Sequence, residues 1–391
     1  MSNLKEKNTQ KSRLIFITCM PMSSPKAASM YYMKILLDRH SDLFTWFSLR
    51  RLKNEYNIWK IPYSDASPIY FPKSFSNIRR FVNLYPWAFM QGLKAAWFGW
   101  RNNIGIVYSD LAFEAVITGR IVSKILNVPL VSSIHDDPVN RLEKKNCPKW
   151  ILSMYKKSFS KTLKYSSNTV VISDYMGKYY NRAYGISTIT LFPGLEKKDL
   201  LPIKPFPFEK KNIIIGAIGS INCMKNWELL IKVCEKINKV IENRKINIIH
   251  VGEKPHLAPK SNIVNYLGFV KNSNLKERLA MIDIGFLNWD FTAKARVTVK
   301  TSLPLKINSY IQAGVPMLAL GPIESSIVKF VKDNKCGLYC IERKKESLYN
   351  VIIKFLNNID IVNNIQHSIT DLRQEYSRDR FHSQFLKVIN P

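Results

Sequence analysis

The chain has 391 residues, 46 % of them hydrophobic and 12 % aromatic, which supplies cores for two or three domains and excludes a disordered chain. No uninterrupted apolar run approaches the about 20 residues of a spanning helix, which argues against an integral membrane protein. Lysine and arginine number 59 against 29 acidic residues, and the resulting net charge of +30 favours nucleic acid, anionic lipid or phosphorylated ligands. A composition rich in lysine, asparagine and isoleucine is the competing source of that charge.

The polar start, MSNLKEKNTQ, lacks a signal peptide's long apolar segment. Cys19, Cys147, Cys223, Cys234, Cys336 and Cys340 form no CxxC pair, and no His/Cys cluster has zinc spacing. All six are therefore expected as reduced thiols of a cytoplasmic protein. Residues 14–18 (LIFIT) read as a short buried strand, followed by a polar loop and a helix over 29–39. Strands at 104–108, 129–134 and 169–173 alternate with helices at 111–126 and 150–165. Asp174 is expected to cap the helix after it. Four prolines between 193 and 207 break the pattern and predict a linker.

The alternation then restarts. Strands are predicted at 212–218, 246–251, 283–287, 316–320 and 337–341. Helices are predicted at 227–241, 274–281, 304–313 and 323–333. Pro304 suits a first helical turn, and Gly314 suits the position just past a helix end. Strands alternating with helices imply parallel sheets, so the expected fold class is α/β, with two doubly wound, Rossmann-like domains in tandem. Such sheets bind ligands outside the carboxyl ends of their strands. Two such domains facing each other would form a central cleft.

Residues 76–101 (SNIRRFVNLYPWAFMQGLKAAWFGWR) mix tryptophan and phenylalanine with arginine and lysine. This pattern fits a membrane interface, and it fits a pair of core helices equally well. Aromatic and basic residues together also suit single-stranded nucleic acid, but no recognition motif accompanies them, so no nucleic-acid partner is expected.

The stretch VGEKPHLAPKSNIVNYLGFVKNSNLKERLAMIDIGFL, followed by SLPLKINSYIQAGVPMLALG, resembles the donor domain of GT-B glycosyltransferases, family 4 in particular. The likeness covers roughly residues 212–341. SSIHDDP and the first loop match more loosely, and YSRDRFHSQFLKVI resembles the family's final helix. The resemblance implies an acceptor-binding domain over 1–200, a nucleotide-sugar-binding domain over 201–372, and a last helix, 373–391, that crosses back to the first domain. It implies transfer of a sugar from a nucleotide-sugar to a glycan or polyprenyl-linked acceptor in surface polysaccharide assembly, with retention of configuration. No cofactor and no metal are expected. An anionic membrane surface at the inner face is a further expected partner.

Departures mark a divergent member. The two glutamates that the family places eight positions apart correspond to Thr301 and Ser309 here. The family's phosphate loop reads Gly219-Ser220-Ile221 followed by Lys225, without its arginine. The glycine pair of the first loop is replaced around Ser23, Ser24, Ala27 and Ala28. A non-catalytic GT-B subunit and a GT-B sugar-nucleotide epimerase are therefore alternatives.

Departure of a nucleotide diphosphate needs cations and helix N-termini to take up its charge. Lys225 and Lys306 stand at strand-to-helix junctions, and the plain alternative is a surface lysine. Arg296 and Lys300 could replace the missing arginine or lie on a solvated loop. Ser302 and Thr301 are cap candidates for the 304–313 helix. Asn308 and Ser309 are the polar groups nearest the lost ribose-binding glutamate. The resemblance adds Gly268, Phe269 and Val270 as backbone contacts to the base. In the first half, His135 follows a strand end, where the resemblance places it near the transferred sugar. Asp136 and Asp137 could orient it or take the acceptor proton, and Asp-Asp-Pro equally suits a helix cap. Ser23, Ser24 and Lys26 could meet donor phosphate or acceptor, or form a plain turn.

Overall fold

The structure is a computed structural model that describes residues 13–19, 28–50, 59–70, 76–203, 205–206, 212–241, 244–270 and 272–390. The chain forms two compact units: residues 1–191 with 384–391, and residues 192–383.

Unit 1 is built on a parallel sheet of seven strands: β1 Arg13–Thr18, β2 Phe44–Ser48, β3 Tyr63–Asp65, β4 Ile104–Asp110, β5 Leu130–Ile134, β6 Asn168–Val171 and β7 Ile189–Thr190. Their order is β3-β2-β1-β4-β5-β6-β7. The chain reverses its direction of growth between β1 and β4, so the crevice of a doubly wound sheet lies at their carboxyl ends. β1, β4 and β5 are almost wholly buried, as continuous apolar runs in a two-faced parallel sheet must be. β2 (FTWFS) and β3 (YSD) have no counterpart in the sequence reading. β2 follows its helix after a single 3-10 turn, Ser41–Leu43, and β3 has only three residues.

One cap differs from expectation. Ser173, not Asp174, caps the helix Asp174–Tyr184: its backbone is extended, and its hydroxyl accepts from the Met176 amide at 3.2 Å. Asp174 is already helical and accepts instead from the Thr190 hydroxyl. The last residues of the chain complete unit 1. Phe385 stacks on Phe44 with centroids 6.0 Å apart, and Asn168 Nδ2 donates to the Val388 carbonyl at 2.8 Å.

Unit 2 repeats the topology with six parallel strands: β8 Asn212–Ile218, β9 Lys245–Val251, β10 Val264–Gly268, β11 Ile284–Asn288, β12 Met317–Leu320 and β13 Gly337–Cys340. Their order is β10-β9-β8-β11-β12-β13, and the reversal falls between β8 and β11. These two strands pair only at Ile215–Ile284 and Gly216–Gly285. Beyond that point they diverge, and the Tyr310 hydroxyl fills the split. It is bonded to the Gly216 and Phe286 carbonyls, each at 3.0 Å, and accepts from the Ile218 amide at 3.3 Å. Gly285 makes room for it, since a Cβ there would lie 2.5 Å from the Tyr310 ring.

Tyr310 belongs to the helix Lys306–Ala313, which ends at Gly314 with φ of 71°. The regular helix starts two residues after Pro304, which contributes a preceding turn through Ile307 N to Pro304 O. Neither expected cap residue caps it. Leu305 holds the cap position with no side-chain bond. Thr301 closes the separate helix Arg296–Thr301 and bonds back to the Val297 carbonyl at 2.8 Å, while buried Ser302 accepts at its carbonyl from Ser326. All six cysteines are buried and free. Among the described residues, no helix is long and apolar enough to cross a membrane.

Tyr310→Phe removes one oxygen and leaves three buried backbone groups short of a partner. A loss of about 1–3 kcal/mol is expected in urea denaturation, with the far-UV circular dichroism unchanged. Wild-type stability in this variant would show that the split is closed by something else.

Candidate functional site

The carboxyl edge of unit 2 gathers part of the expected donor set. After β8, Gly219 takes a left-handed backbone (φ 68°) in open space. Its amide donates to Val251 and its carbonyl bonds His250 Nε2, both at 2.8 Å, so the loop is tied to β9. Lys306 Nζ donates to the Ser220 carbonyl at 2.6 Å. The protein packed around this ammonium pushes its pKa down to about 8, against an ordinary value near 10.5. Lys306 remains protonated at neutral pH, and among the described residues the Ser220 carbonyl is the one hydrogen-bond partner of its ammonium. Ser309, one turn further along the helix, is half-buried and has no hydrogen-bond partner among the described residues.

Other members of the expected set stand apart. Lys225 is exposed in the first turn of the helix Met224–Val240 and has no ion-pair partner among the described residues. Arg296 is exposed and lies 3.8 Å from Glu324, a pair of little energetic weight at the surface. Lys300 is half-buried on the same short helix. Asn308 points inward: it is buried and donates to the Pro193 carbonyl at 2.7 Å, which tethers the proline-rich segment rather than presenting an amide to solvent. Gly268 has φ of 71° and accepts from Gly252 N at 2.9 Å, Phe269 is exposed, and Val270 is half-buried.

The structure adds residues that the sequence did not mark. Arg343, just past β13, pairs with Asp290 at 2.9 Å and donates to Asn226 Oδ1 at 2.8 Å. Asn226 in turn donates to the Trp289 carbonyl at 2.8 Å. This network locks the loops after β8, β11 and β13 to one another. No local pattern announces it, because its members come from three separate strand ends.

In unit 1, His135 follows β5 with its ring half-buried, edge-on to Tyr32 at 5.0 Å and 3.2 Å from the Ser133 hydroxyl. Burial pushes its pKa down to about 4 against the pull of Asp136, so the ring is neutral at pH 7. Asp136 is exposed, with Arg141 at 3.9 Å. Asp137 is buried and caps the helix Pro138–Lys144, accepting from Asn140 N at 2.6 Å and from Tyr180 at 2.8 Å. Both of its oxygens are thus engaged, and of the two roles open to it in the sequence the structure displays the cap. Ser23, Ser24 and Lys26 lie outside the described residues.

Asp110, unmarked in the sequence, ends β4 at the reversal point. It is buried, Thr18 reaches it at 3.5 Å, and burial raises its pKa to about 7. Nearby, buried Glu114 bonds Arg50 at 3.1 Å and the Cys19 thiol at 3.2 Å, which holds the ends of β2 and β1. Among the described residues no group of three or more His, Cys, Asp or Glu side chains is placed to hold a metal ion.

No protein-family model matches the chain, and no curated protein matches it. Solved structures do match. The chain is similar to Anabaena HepE, solved with UDP and glucose: 15 % identity, 97 % of this chain and 99 % of that one, TM-score 0.65. A glycosyltransferase from Rickettsia africae gives 14 % identity, coverage of 97 % and 98 %, and a TM-score of 0.67. Sucrose-phosphate synthase from Thermosynechococcus elongatus gives 12 % identity, coverage of 97 % and 98 %, and a TM-score of 0.69. At these identities the likeness establishes the fold, and the chain has the GT-B fold of these proteins, two doubly wound α/β units in tandem.

Asp110 carries a pH prediction. Folded, it keeps its proton to about pH 7; unfolded, it releases it near pH 4. Between those values the folded state binds more protons, so this group makes stability fall as pH rises, by up to about 1.4 kcal/mol per unit. Asp110→Asn removes that slope. In chemical denaturation the variant should gain on the native chain from about pH 4 to 7, and the gain should then level off. A stability difference that does not change with pH would sink this assignment.

Proposed function

We propose that the chain is a glycosyltransferase that takes a sugar from a nucleotide-sugar donor bound by unit 2 and passes it to a glycan or polyprenyl-linked acceptor bound by unit 1, in surface polysaccharide assembly. The observation that carries the reading is Lys306. A protonated, half-buried ammonium is held on the Ser220 carbonyl at the reversal point of the sheet, at the start of a helix whose first amides carry partial positive charge. Gly219 and Ser220 would face the diphosphate, Lys225 would add a second cation, and Ser309 would meet the ribose. The GT-B fold and the UDP complex of HepE support the same assignment.

Cations and helix amides supply the charge that the leaving diphosphate needs, so the chemistry proceeds without a metal. Neutral His135 would bond the transferred sugar. With retention of configuration, the departing phosphate takes the acceptor proton and no strong protein base is required. Asp136 is the exposed carboxylate left for that task if configuration inverts. The protein would work in the cytoplasm, at the inner face of a membrane where lipid-linked acceptors lie. A second reading, a non-catalytic GT-B subunit, is favoured by Thr301, which is buried and bonded within its own helix where the family carries a glutamate. Hydrolysis of donor by the isolated chain separates the two.

Lys306→Gln should weaken nucleotide binding about 10- to 150-fold in calorimetry, the loss of one charge-assisted contact. Wild-type affinity would refute the donor site. His135→Ala should lower kcat more than it raises donor KM, because a contact that tightens in the transition state acts on kcat. NMR of the product's anomeric centre tests the stereochemistry. An inverted product, with Asp136→Asn reduced about 10²–10⁴-fold, would overturn the retaining scheme.

A further inference from the structure

The segment that the sequence leaves between interface and core is one helical run: Ser76–Val82, a wide π-turn at Asn83–Trp87, then Ala88–Arg101. Pro86 lies in the wide turn, where its missing N–H leaves the regular ladder broken. The helix Ala88–Arg101 is inside out for a core helix. It buries its small residues, Ala88, Gly92, Ala95, Ala96 and Gly99. These let it lie close against the helix Ala115–Leu126: a Cβ on Gly92 would meet Ile121 at 2.7 Å, and one on Gly99 would meet Leu126 at 2.9 Å. Its large residues, apart from Phe98 on Phe47, face solvent. Met90 is 60 % exposed, Trp97 57 % and Trp100 69 %, with Phe89 and Leu93 beside them. Phe89, Leu93, Trp97 and Trp100 recur at helical spacing and share one face.

The patch extends onto its neighbours. Exposed Trp150, on the helix Lys149–Tyr165, packs 5.3 Å from Phe81. Phe81, Tyr85, Phe89 and Ile121 line a surface groove of about 680 Å³ whose other walls include Arg120, Lys124 and Ser158. The helical run 76–101 and the helices Ala115–Leu126 and Lys149–Tyr165 pack side by side and together hold eleven lysines and arginines and no aspartate or glutamate. Arg101 lies over the Trp97 ring at 4.9 Å, and Lys157 and Lys161 are exposed next to Ser158.

We infer that this face of unit 1 is a membrane-docking surface, with Phe89, Trp97 and Trp100 entering the headgroup region of an anionic bilayer and the flanking lysines and arginines meeting its lipid phosphates. Exposed tryptophans beside cations, on helices without an acidic residue, are complementary to an apolar layer under a negative surface. The inference rests on the peripheral-membrane part of the function proposed above and not on its transfer chemistry.

Flotation with phosphatidylcholine vesicles, with and without phosphatidylglycerol, tests it in the absence of donor. The intact chain should float only with anionic vesicles, and about 1 M salt, where screening acts within about 3 Å, should release it. Trp97→Ser with Trp100→Ser should abolish flotation. Lys157→Glu with Lys161→Glu should lower the partition coefficient at least about fivefold per cation. All four side chains are exposed, so the melting temperature and nucleotide affinity should stay at wild type; if the tryptophan variant misfolds, the lysine variant still decides. Equal flotation with neutral vesicles, no flotation of the intact chain, or wild-type binding by both folded variants would overturn the assignment. Capture of single-stranded oligonucleotide in place of vesicles, lost in the same variants, would overturn it in favour of nucleic acid. Loss of flotation with nucleotide binding intact, or the reverse, tells failure of this surface from failure of the donor site.

Discussion

The candidate donor site depends on how the Tyr310 hydroxyl closes the split between β8 and β11. A doubly wound sheet must part where its strand order reverses, and the parting strands leave backbone groups without ladder partners. One phenolic oxygen meets three of them: the Gly216 and Phe286 carbonyls and the Ile218 amide. This bond fixes the rotation of the helix Lys306–Ala313 about its own axis. Lys306, one turn earlier, is thereby carried to the loop after β8, and Ser309 is left half-buried while Asn308 turns into the protein. Of the glycine pair on which the strands part, Gly285 leaves room for the Tyr310 ring and Gly216 for the Ile282 side chain.

The two units use the same topology for opposite electrostatic ends. At the edge of unit 2 the ionisable group at the reversal point is a lysine that keeps its charge at neutral pH. At the edge of unit 1 the corresponding groups are an aspartate held partly protonated and a histidine held neutral, both by burial. A cationic edge suits a diphosphate, which brings charge of its own. Asp110 and His135, held nearly neutral beside the Asp136–Arg141 pair, offer hydrogen bonds of the kind a sugar's hydroxyls take. Glu114, Arg50 and Cys19 in unit 1, and Asp290, Arg343 and Asn226 in unit 2, hold the loops that frame these edges. Their charges are spent on one another, so they stiffen the sites.

The surplus of positive charge gains a meaning from one packing choice. Ala88, Gly92, Ala95, Ala96 and Gly99 allow a close helix–helix approach that larger residues would forbid, and the same choice turns Phe89, Trp97 and Trp100 outward, while Phe98 packs on Phe47. Close packing on one side and aromatic exposure on the other are thus a single feature of the sequence. It is surrounded by helices from which acidic residues are missing.

The sequence by itself determined the α/β class, the restart of the pattern after the proline-rich segment and the place of the helix that holds Lys306. Strands buried on both faces must be continuous apolar runs, and Pro304 and Gly314 punctuate that helix through backbone geometry alone. Residues whose role depends on direction were beyond it. Asn308 and Ser309 are neighbours of similar polarity, yet the turn between them sends one inward to Pro193 and the other outward. Asp137 suited a base or a cap, and only the position of Tyr180 and the Asn140 amide separated the two. Asp110 and the Arg343–Asp290 pair carried no signal at all, because burial and ion pairing join residues far apart in the chain. Tertiary structure decided these, since a side chain's chemistry is set by what surrounds it, and local spacing constrains only what surrounds it along one helix or one strand.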